Sequence, residues 1–416
     1  MGGTLLFGHA VDLGAAISDL STIAAAVDGK PLSDLQEYLD QLSGRYLVVK
    51  SDGERLKIQQ DATGMRAVYY TEAMYPFVAG SHQGLVAMQV NAPQGYFGGS
   101  FLRDNNVQTH PGRKTQNVGV VRQLPNTELD SISRRTERIF PRVSVEPCTA
   151  AEATDVIIET ANIQLGAIEQ PLMSSLSAGL DSRVTLALLK NAIKDTKFFT
   201  YVIADKPLNT GNQHDLSGAT DLATRFGLDH ETLFVSTNMD DAFESMMHKN
   251  APFSHSRSIA KAYLDYLPHD ALHIRSNVFE IGRCYYRNIG MIPNKLSAHS
   301  MRYITANGKS LDLPTYDAFE EYRIMTNLDA AVDLGYDELD VFYWEYRMGS
   351  WMTSVYHESD VAHDTHTLIN SRLVLKKLLG VPLEDRLTGA AFRGTIAKSW
   401  PELLEVPVNG VLLEVD

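Results

Sequence analysis

The pattern of apolar residues changes once along this chain, near residues 141–150, and that change limits the available folds more than any other feature. Before it, short apolar runs are broken by turn signals: RYLVVKSDGE, LKIQQDATGM, RAVYY and VGVVRQLPNTELD. Asp52-Gly53 and Thr63-Gly64 sit between alternating or β-branched segments, which is hairpin chemistry. Residues 1–145 are expected to form a strand-rich domain. After Pro147, long helical periods alternate with short apolar strands, beginning with the amphipathic AAEATDVIIETANIQLGAIEQ. PLMSSLS, KFFTYVIA, TLFVS and ALHIRS read as strands, with SRVTLALLKNAIK, HDLSGATDLATRFG and SRSIAKAYLDYL as the helices between them. Such alternation argues for a parallel sheet covered by helices on both faces. Residues 146–416 are thus expected to be an α/β domain that ends in a helical region from about 315 onward.

A length of 416 residues fits two or three domains. With 37 Lys plus Arg against 51 Asp plus Glu, the net charge of −14 argues against a general nucleic-acid binder, which needs basic surface to displace counterions. Cys148 and Cys284 are too few and too far apart for a disulfide framework, a redox pair or a zinc site, and a reducing cytoplasm fits them best. No run approaches the about 18 apolar residues needed to span a bilayer, and the start MGGTLLFGHAVDLG lacks a basic n-region. A cytoplasmic protein is expected.

Between the first strand and first helix of the α/β part lies Ser177-Ala178-Gly179-Leu180-Asp181-Ser182-Arg183. Small residues at 177–179 let the backbone turn tightly, so that its N–H groups can close on an anion at a helix start, where the macrodipole also favours negative charge. Asp181 would repel phosphate there unless a cation lay between them, which points to magnesium. The Ser177 and Ser182 hydroxyls can add hydrogen bonds to phosphate oxygens. The plainer alternative is a Gly-Ser turn that only caps a helix. GxxxxGK[ST] is absent from the chain and GxGxxG from this turn, which disfavours a P-loop kinase or ATPase.

SAGLDSR resembles the SGGxDS pyrophosphate loop of N-type ATP pyrophosphatases, with Ala178 replacing one glycine. The resemblance narrows to asparagine synthetase-like proteins because it runs along nearly the whole chain. GRYLVVKSDGERLKIQQDATGMRAVYY (44–70) is similar to the family's glutaminase-domain strands and acidic turn, and RQLPNTELD (122–130) to its LPNxxL hairpin. DLSGATDLATRFGLDH (215–230) is similar to a helix of the synthetase domain. HIRSNVFEIGRCYYR (273–287) takes the place of the SGDGGDELFGGY loop, with Ser276 replacing a glycine, Asn277 the first acid, and Glu280 at the second, metal-binding acid. The fold so implied is an N-terminal Ntn-hydrolase-like domain and a C-terminal PP-loop (adenine nucleotide α-hydrolase-like) synthetase domain.

The resemblance also implies roles. Ser177, Ala178, Gly179, Leu180, Asp181, Ser182, Tyr201 and Ser276 would bind ATP and its pyrophosphate, and Asp181 with Glu280 would hold Mg2+. Arg275, Arg283 and Arg287 are further candidates for polyphosphate or carboxylate, although Glu280 can instead pair with Arg283 or Arg287. WMTSVYHESDVAHDTHTLINSR places Glu358 at the acid that assists the amine in the cyclising relatives. His357, His363 and His366 lie in the same stretch without HExxH spacing, and a zinc site is not expected. In GAAFRGTIAKSWPELL, Gly389 stands where the adenylate-stabilising lysine belongs, leaving Arg386, Arg393 or Lys398 as replacements. Catalytic roles are expected for Glu358, Arg393 and Lys398. In glutamine-hydrolysing members a cysteine follows Met1; here the residue is Gly2 and the first cysteine is Cys148, so hydrolysis by that route is not expected.

The expected reaction is ATP-dependent amide formation: a small-molecule or peptide carboxylate is adenylated and passed to ammonia or another amine. A cyclase of the β-lactam or lasso-peptide type, as found in natural-product biosynthesis, and a non-catalytic nucleotide-binding homologue are the alternatives. The losses at 276–279 and 389 motivate the second. Acidic charge and unpaired cysteines speak against a tRNA thiolase. Acid, amine and oligomeric state, a homodimer included, are not written in the sequence.

Overall fold

A computed structural model describes residues 2–30, 32–98, 101, 108–205, 209–251, 255–306 and 312–412. The fold is α/β. Its first part contains two antiparallel sheets. One has the order β1-β2-β3-β7-β8, made from Gly3–Asp12, Leu42–Ser51, Leu56–Gln60, Thr127–Asp130 and Arg135–Arg138. The other has the order β5-β4-β6, from Ala79–Gly80, Tyr69–Thr71 and Val120–Arg122. The period-2 alternation of strands sorts the side chains between two layers. Tyr46 and Val48 of β2 pack on Ile23 and Val27 of α1 (Leu20–Asp28) and on Leu35 and Leu39 of α2 (Leu32–Asp40). Leu47 and Val49 face the other way, into a core of Ile58, Leu129, Val68, Tyr70 and Val121 that joins the two sheets. Tyr69 and Val120 then meet Val86 and Ala87 of α3 (Gln83–Gln89) on the far side. Helix, sheet, sheet and helix thus stack in layers.

Asp52-Gly53 closes the β2–β3 hairpin with Gly53 at φ +103°, as expected. Thr63-Gly64 does not close one. It carries the chain from β3 in one sheet to β4 in the other, because the Asp61 carboxylate accepts the amides of Thr63, Met65 and Arg66 and folds the segment back. The helices α1 and α2 were not foreseen in a region read as strands; the only hints are the short apolar periods in STIAAAV and LSDLQEYL.

The second sheet system has the order β11-β10-β9-β12-β13, and every neighbouring pair is parallel. Its strands are β9 (Leu172–Ser175), β10 (Thr196–Ile203), β11 (His230–Val235), β12 (Leu272–Ile274) and β13 (Thr365–His366). α4 (Ala150–Ala167), α5 (Leu180–Leu188) and α6 (Thr210–Phe226) cover one face, where Ile157, Val184, Leu222, Phe198 and Ile274 share a core. α7 (Asp241–Asn250) leads to α8 (Arg257–Tyr266), whose Tyr263 packs with Met173, Phe199 and Leu233 on the other face. α4 opens on a capping box between Thr149 and Glu152. Strand order reverses between β9 and β12, which makes a crevice at their carboxyl ends. Among the described residues no helix is long and apolar enough to cross a membrane.

The two sheet systems are not independent bodies. Ala62, Met65, Leu124 and Phe140 belong to the same core as Phe342, Trp344 and Met348. The last three lie on or beside a π-helix, Tyr343–Met352, a rare winding that is frequent at functional sites. The first part grips this helix at several points. Arg138 donates two parallel hydrogen bonds to Glu345 at 2.6 and 2.9 Å, and Asn126 Nδ2 adds a third at 3.2 Å. Trp344 Nε1 donates to the Ala62 carbonyl at 2.7 Å, and Gly349 lies so close to Pro125 that a Cβ would overlap its ring.

Glu345 is fully buried, so neutralising it leaves the Arg138 guanidinium without its counter-charge. Glu345→Gln is expected to lower the free energy of unfolding by about 3–5 kcal/mol, measured by urea titration. A loss below about 1 kcal/mol would mean the pair does not hold the π-helix.

Candidate active site

The crevice between β9 and β12 holds a cavity of about 430 Å³, within the range of small-ligand sites. Ser177, Asp181, Ser182, Tyr201, Ser276 and Glu280 all line it. Sequence reasoning therefore brought residues from three separate segments to one place. The loop that follows β9 is closed on itself. Ser177 Oγ and Ser182 Oγ lie 2.9 Å apart, Gly179 N donates to Ser177 Oγ at 3.2 Å, and Ser177 N donates to Ser182 Oγ at 3.3 Å. Ala178 N donates to Asp215 Oδ1 of α6 at 3.1 Å. These side chains take the amides that an anion would otherwise accept from.

Ala178 and Leu180 do not face the cavity. Leu180 is buried in the core, and Ala178 packs on α6, where a Cβ built on Gly218 would stand only 2.7 Å from its own. The alanine that departs from the glycine pattern is thus matched by a glycine on the facing helix. Arg183, the last residue of SAGLDSR, is fully buried and donates to the carbonyls of Leu403, Val406 and Pro407. It pins the C-terminal segment, whose Asn409 N donates to Ala178 O at 3.0 Å.

Asp181 and Glu280 meet at one cation. Arg283 Nη1 donates to Asp181 Oδ1 at 2.6 Å and to Glu280 Oε1 at 3.1 Å. Burial pushes the Glu280 carboxyl up to about 7, with repulsion from Asp181 adding to the shift and Arg283 opposing it. Burial likewise raises Asp181, against the pull of Arg283. Two carboxylates crowded in this way favour a positive charge between them, and the guanidinium supplies it. They also fit a divalent ion as hard oxygen donors, with phosphate oxygens to complete the shell, once Arg283 yields a place. A Cβ at Gly389 would stand 3.7 Å from Arg283 Nε, so Arg283 lies directly beside that position.

The expected catalytic residues lie elsewhere. Glu358 is fully buried and does not line the cavity; its oxygens accept the amides of His255 at 2.9 Å and Ser256 at 2.5 Å, capping α8. Burial nevertheless raises its carboxyl to about 7. Lys398 pairs with Asp155 on the surface, and Arg393 sits on the same helix, Ala390–Ser399; neither lines the cavity. Arg386 is buried against Asp340, and Arg287 pairs with Asp337 at 2.5 Å. The three histidines separate: His357 stacks on His82, His363 contacts His273 at 3.2 Å, and His366 contacts His9 at 3.1 Å.

Arg275, one of the arginine candidates from the sequence, also lines the cavity; it follows β12, with its guanidinium 4.9 Å from the centre of the Tyr356 ring. Several other lining residues were missed. Asp215 comes from α6, and Tyr343, Arg347, Trp351 and Met352 from the π-helix. An i→i+5 winding places residues four to five apart on one face, which a reading at ordinary helical spacing misassigns. The available signal was the density of aromatics in YWEYRMGSWM around one arginine.

No protein-family profile matches the chain, and no curated protein sequence does. Among solved structures, the glutamine-dependent NAD+ synthetase of Acinetobacter baumannii in complex with ADP is similar at 16% identity over 47% of this chain, with a TM-score of 0.22; the likeness spans 37% of that protein's length. NMN synthetase from Francisella tularensis is similar at 14% identity over 51% of this chain and 96% of its own, with a TM-score of 0.23. Glutamine phosphoribosylpyrophosphate amidotransferase from B. subtilis, complexed with ADP and GMP, is similar at 12% identity over 65% of this chain and 55% of its own, with a TM-score of 0.22. What this chain does is therefore read from its own residues.

The Ala178–Gly218 contact is open to a double-mutant cycle. Gly218→Ala is expected to cost about 1–3 kcal/mol by overpacking, and adding Ala178→Gly should recover most of it; independent, additive effects would show that the two do not touch. Glu358 sets a pH dependence. Its carboxyl is raised from 4.5 to about 7, so it holds its proton more tightly folded than unfolded, and stability falls as pH rises through that window. Urea unfolding at about pH 5 and about pH 7.5 should show this loss in the wild type and a smaller one in Glu358→Gln.

Proposed function

We propose that this chain is an ATP-dependent carbon–nitrogen ligase of the asparagine synthetase-like type, which adenylates a carboxylate and passes it to an amine without hydrolysing glutamine. The observation that carries the reading is the meeting, in one cavity at the sheet's switch point, of the Ser177–Ser182 loop with the Asp181–Arg283–Glu280 cluster. A helix start with small residues suits the leaving pyrophosphate. In the proposed reaction a carboxylate oxygen of the acid attacks the α-phosphorus of ATP, the bond to the β-phosphate bridge breaks, and pyrophosphate leaves. The amine nitrogen then attacks the acyl carbon, AMP leaves with the bonding electron pair, and the amine loses a proton.

Ser177 and Ser182 would turn their hydroxyls from each other to the phosphate oxygens, and Asp215 would release the Ala178 amide for the same purpose. Asp181 and Glu280 would hold Mg2+, which supplies charge neutralisation for the pyrophosphate. Arg283 takes the part of the missing lysine at 389, because a fixed cation beside the reacting phosphorus stabilises the charge that develops there. Tyr201 and Thr200 line the side of the cavity formed by β10, which suits the base of the nucleotide. Glu358 acts through the framework: it fixes the start of α8.

A second reading is favoured by the same cluster. The guanidinium of Arg283 between the two carboxylates, with Asp215 on the Ala178 amide, describes a site that already satisfies its own charges. That is what a nucleotide-binding homologue without turnover would show. Pyrophosphate release from ATP and Mg2+ with a panel of acids and ammonia separates the two. A ligase shows acid-dependent release that Asp181→Ala lowers by about 10³-fold or more. Binding of ATP with no release on any acid, or full activity of the variant, overturns the ligase reading.

A further inference from the structure

Against the nucleotide cavity lies a smaller one of about 40 Å³, which shares Tyr285, Arg347 and Trp351 with it. Beyond that shared rim the walls mix the apolar Ile289, Met291 and Phe319 with the polar Gln108, Thr109 and Thr305, and no Asp or Glu among the described residues lines it. Arg347 stands at the junction. Its guanidinium lies 4.4 Å from the centre of the Trp351 ring and 5.0 Å from that of Tyr285, so two aromatic faces hold it in one direction. Nη1 reaches Gln108 Oε1 only at 3.4 Å, Nε is buried without a hydrogen-bond partner, and no carboxylate among the described residues pairs with the group. Arg283, by contrast, has two carboxylate partners. A half-buried cation with no anion is costly to keep unless a ligand supplies one.

We propose that Arg347 binds the carboxylate of the acid to be activated and that the small cavity takes the body of that acid, a short apolar chain without an ammonium group. This rests on the ligase reading for the acid's role as substrate. Water-sized groups need about 10–15 Å³ each, so the cavity admits about three or four carbon atoms beyond the carboxyl. An amino acid is disfavoured there because its ammonium would meet the charge of Arg347 and, among the described residues, no acid.

Calorimetry on the full chain tests this with two probes of equal length, pentanoate and 4-aminobutyrate. Pentanoate should bind saturably, with 4-aminobutyrate weaker by about tenfold or more. Arg347→Met should weaken pentanoate by about tenfold, and more than it weakens ATP. Met291→Trp, which fills the pocket and leaves the arginine in place, should also abolish pentanoate binding. Equal binding of the two probes, no saturable binding of pentanoate, or a loss confined to ATP in Arg347→Met overturns the inference. Pentanoate binding as stated with no acid-driven pyrophosphate release leaves this site standing and removes the ligase reading. Release driven by amino acids and not by pentanoate does the reverse.

Discussion

The buried pair between Arg138 and Glu345 is the interaction on which the arrangement of this protein turns. Glu345 lies on the π-helix that also carries Tyr343, Arg347 and Trp351 into the cavity, and its carboxylate is met in parallel by a guanidinium from the last strand of the first antiparallel sheet. Two opposite charges removed from water are worth keeping only when the geometry is good and the remaining valences are filled. Here Asn126 takes a further place on the carboxylate, and Arg138 also donates to the carbonyls of Thr326 and Phe140. The first part of the chain thus fixes residues of the cavity without contributing a side chain to the Asp181–Arg283–Glu280 cluster.

Inside the cavity, a surplus of negative charge is the problem to be solved. Asp181 and Glu280 are drawn together by elements that come from different sides of the switch point, and both carboxyls are pushed upward by burial. Arg283 answers that surplus from the segment after β12, beside Gly389. A polyphosphate would add still more negative charge. The cavity's capacity to take one depends on the pool of cations around it, in which Arg275 and Arg347 also stand.

The hydrogen bonds of the Ser177–Ser182 loop follow from the same demand. Buried amides need acceptors, and the hydroxyls of Ser177 and Ser182 and the carboxylate of Asp215 provide them. The tight approach of α6 behind the loop makes this possible, since Gly218 lets Ala178 sit against the helix.

Much of the second part was legible because strand and helix periods are local properties: each strand and helix named from its apolar spacing between 150 and 274 is present. The loop at 177–182 was legible too, because small residues followed by Asp181 and a helical period allow few conformations. Glu280 was reached through resemblance alone. What the sequence by itself determined is the parallel sheet and the place of the tight turn at 177–182. Tertiary structure decided the rest. Whether Thr63-Gly64 closes a hairpin or crosses between sheets, whether Glu358 faces a ligand or caps α8, and which arginine among many stands beside the carboxylates are set by contacts between residues far apart in the chain. Charges and hydrogen-bond donors find partners through space, and the spacing of letters along one strand carries no record of which distant group will arrive.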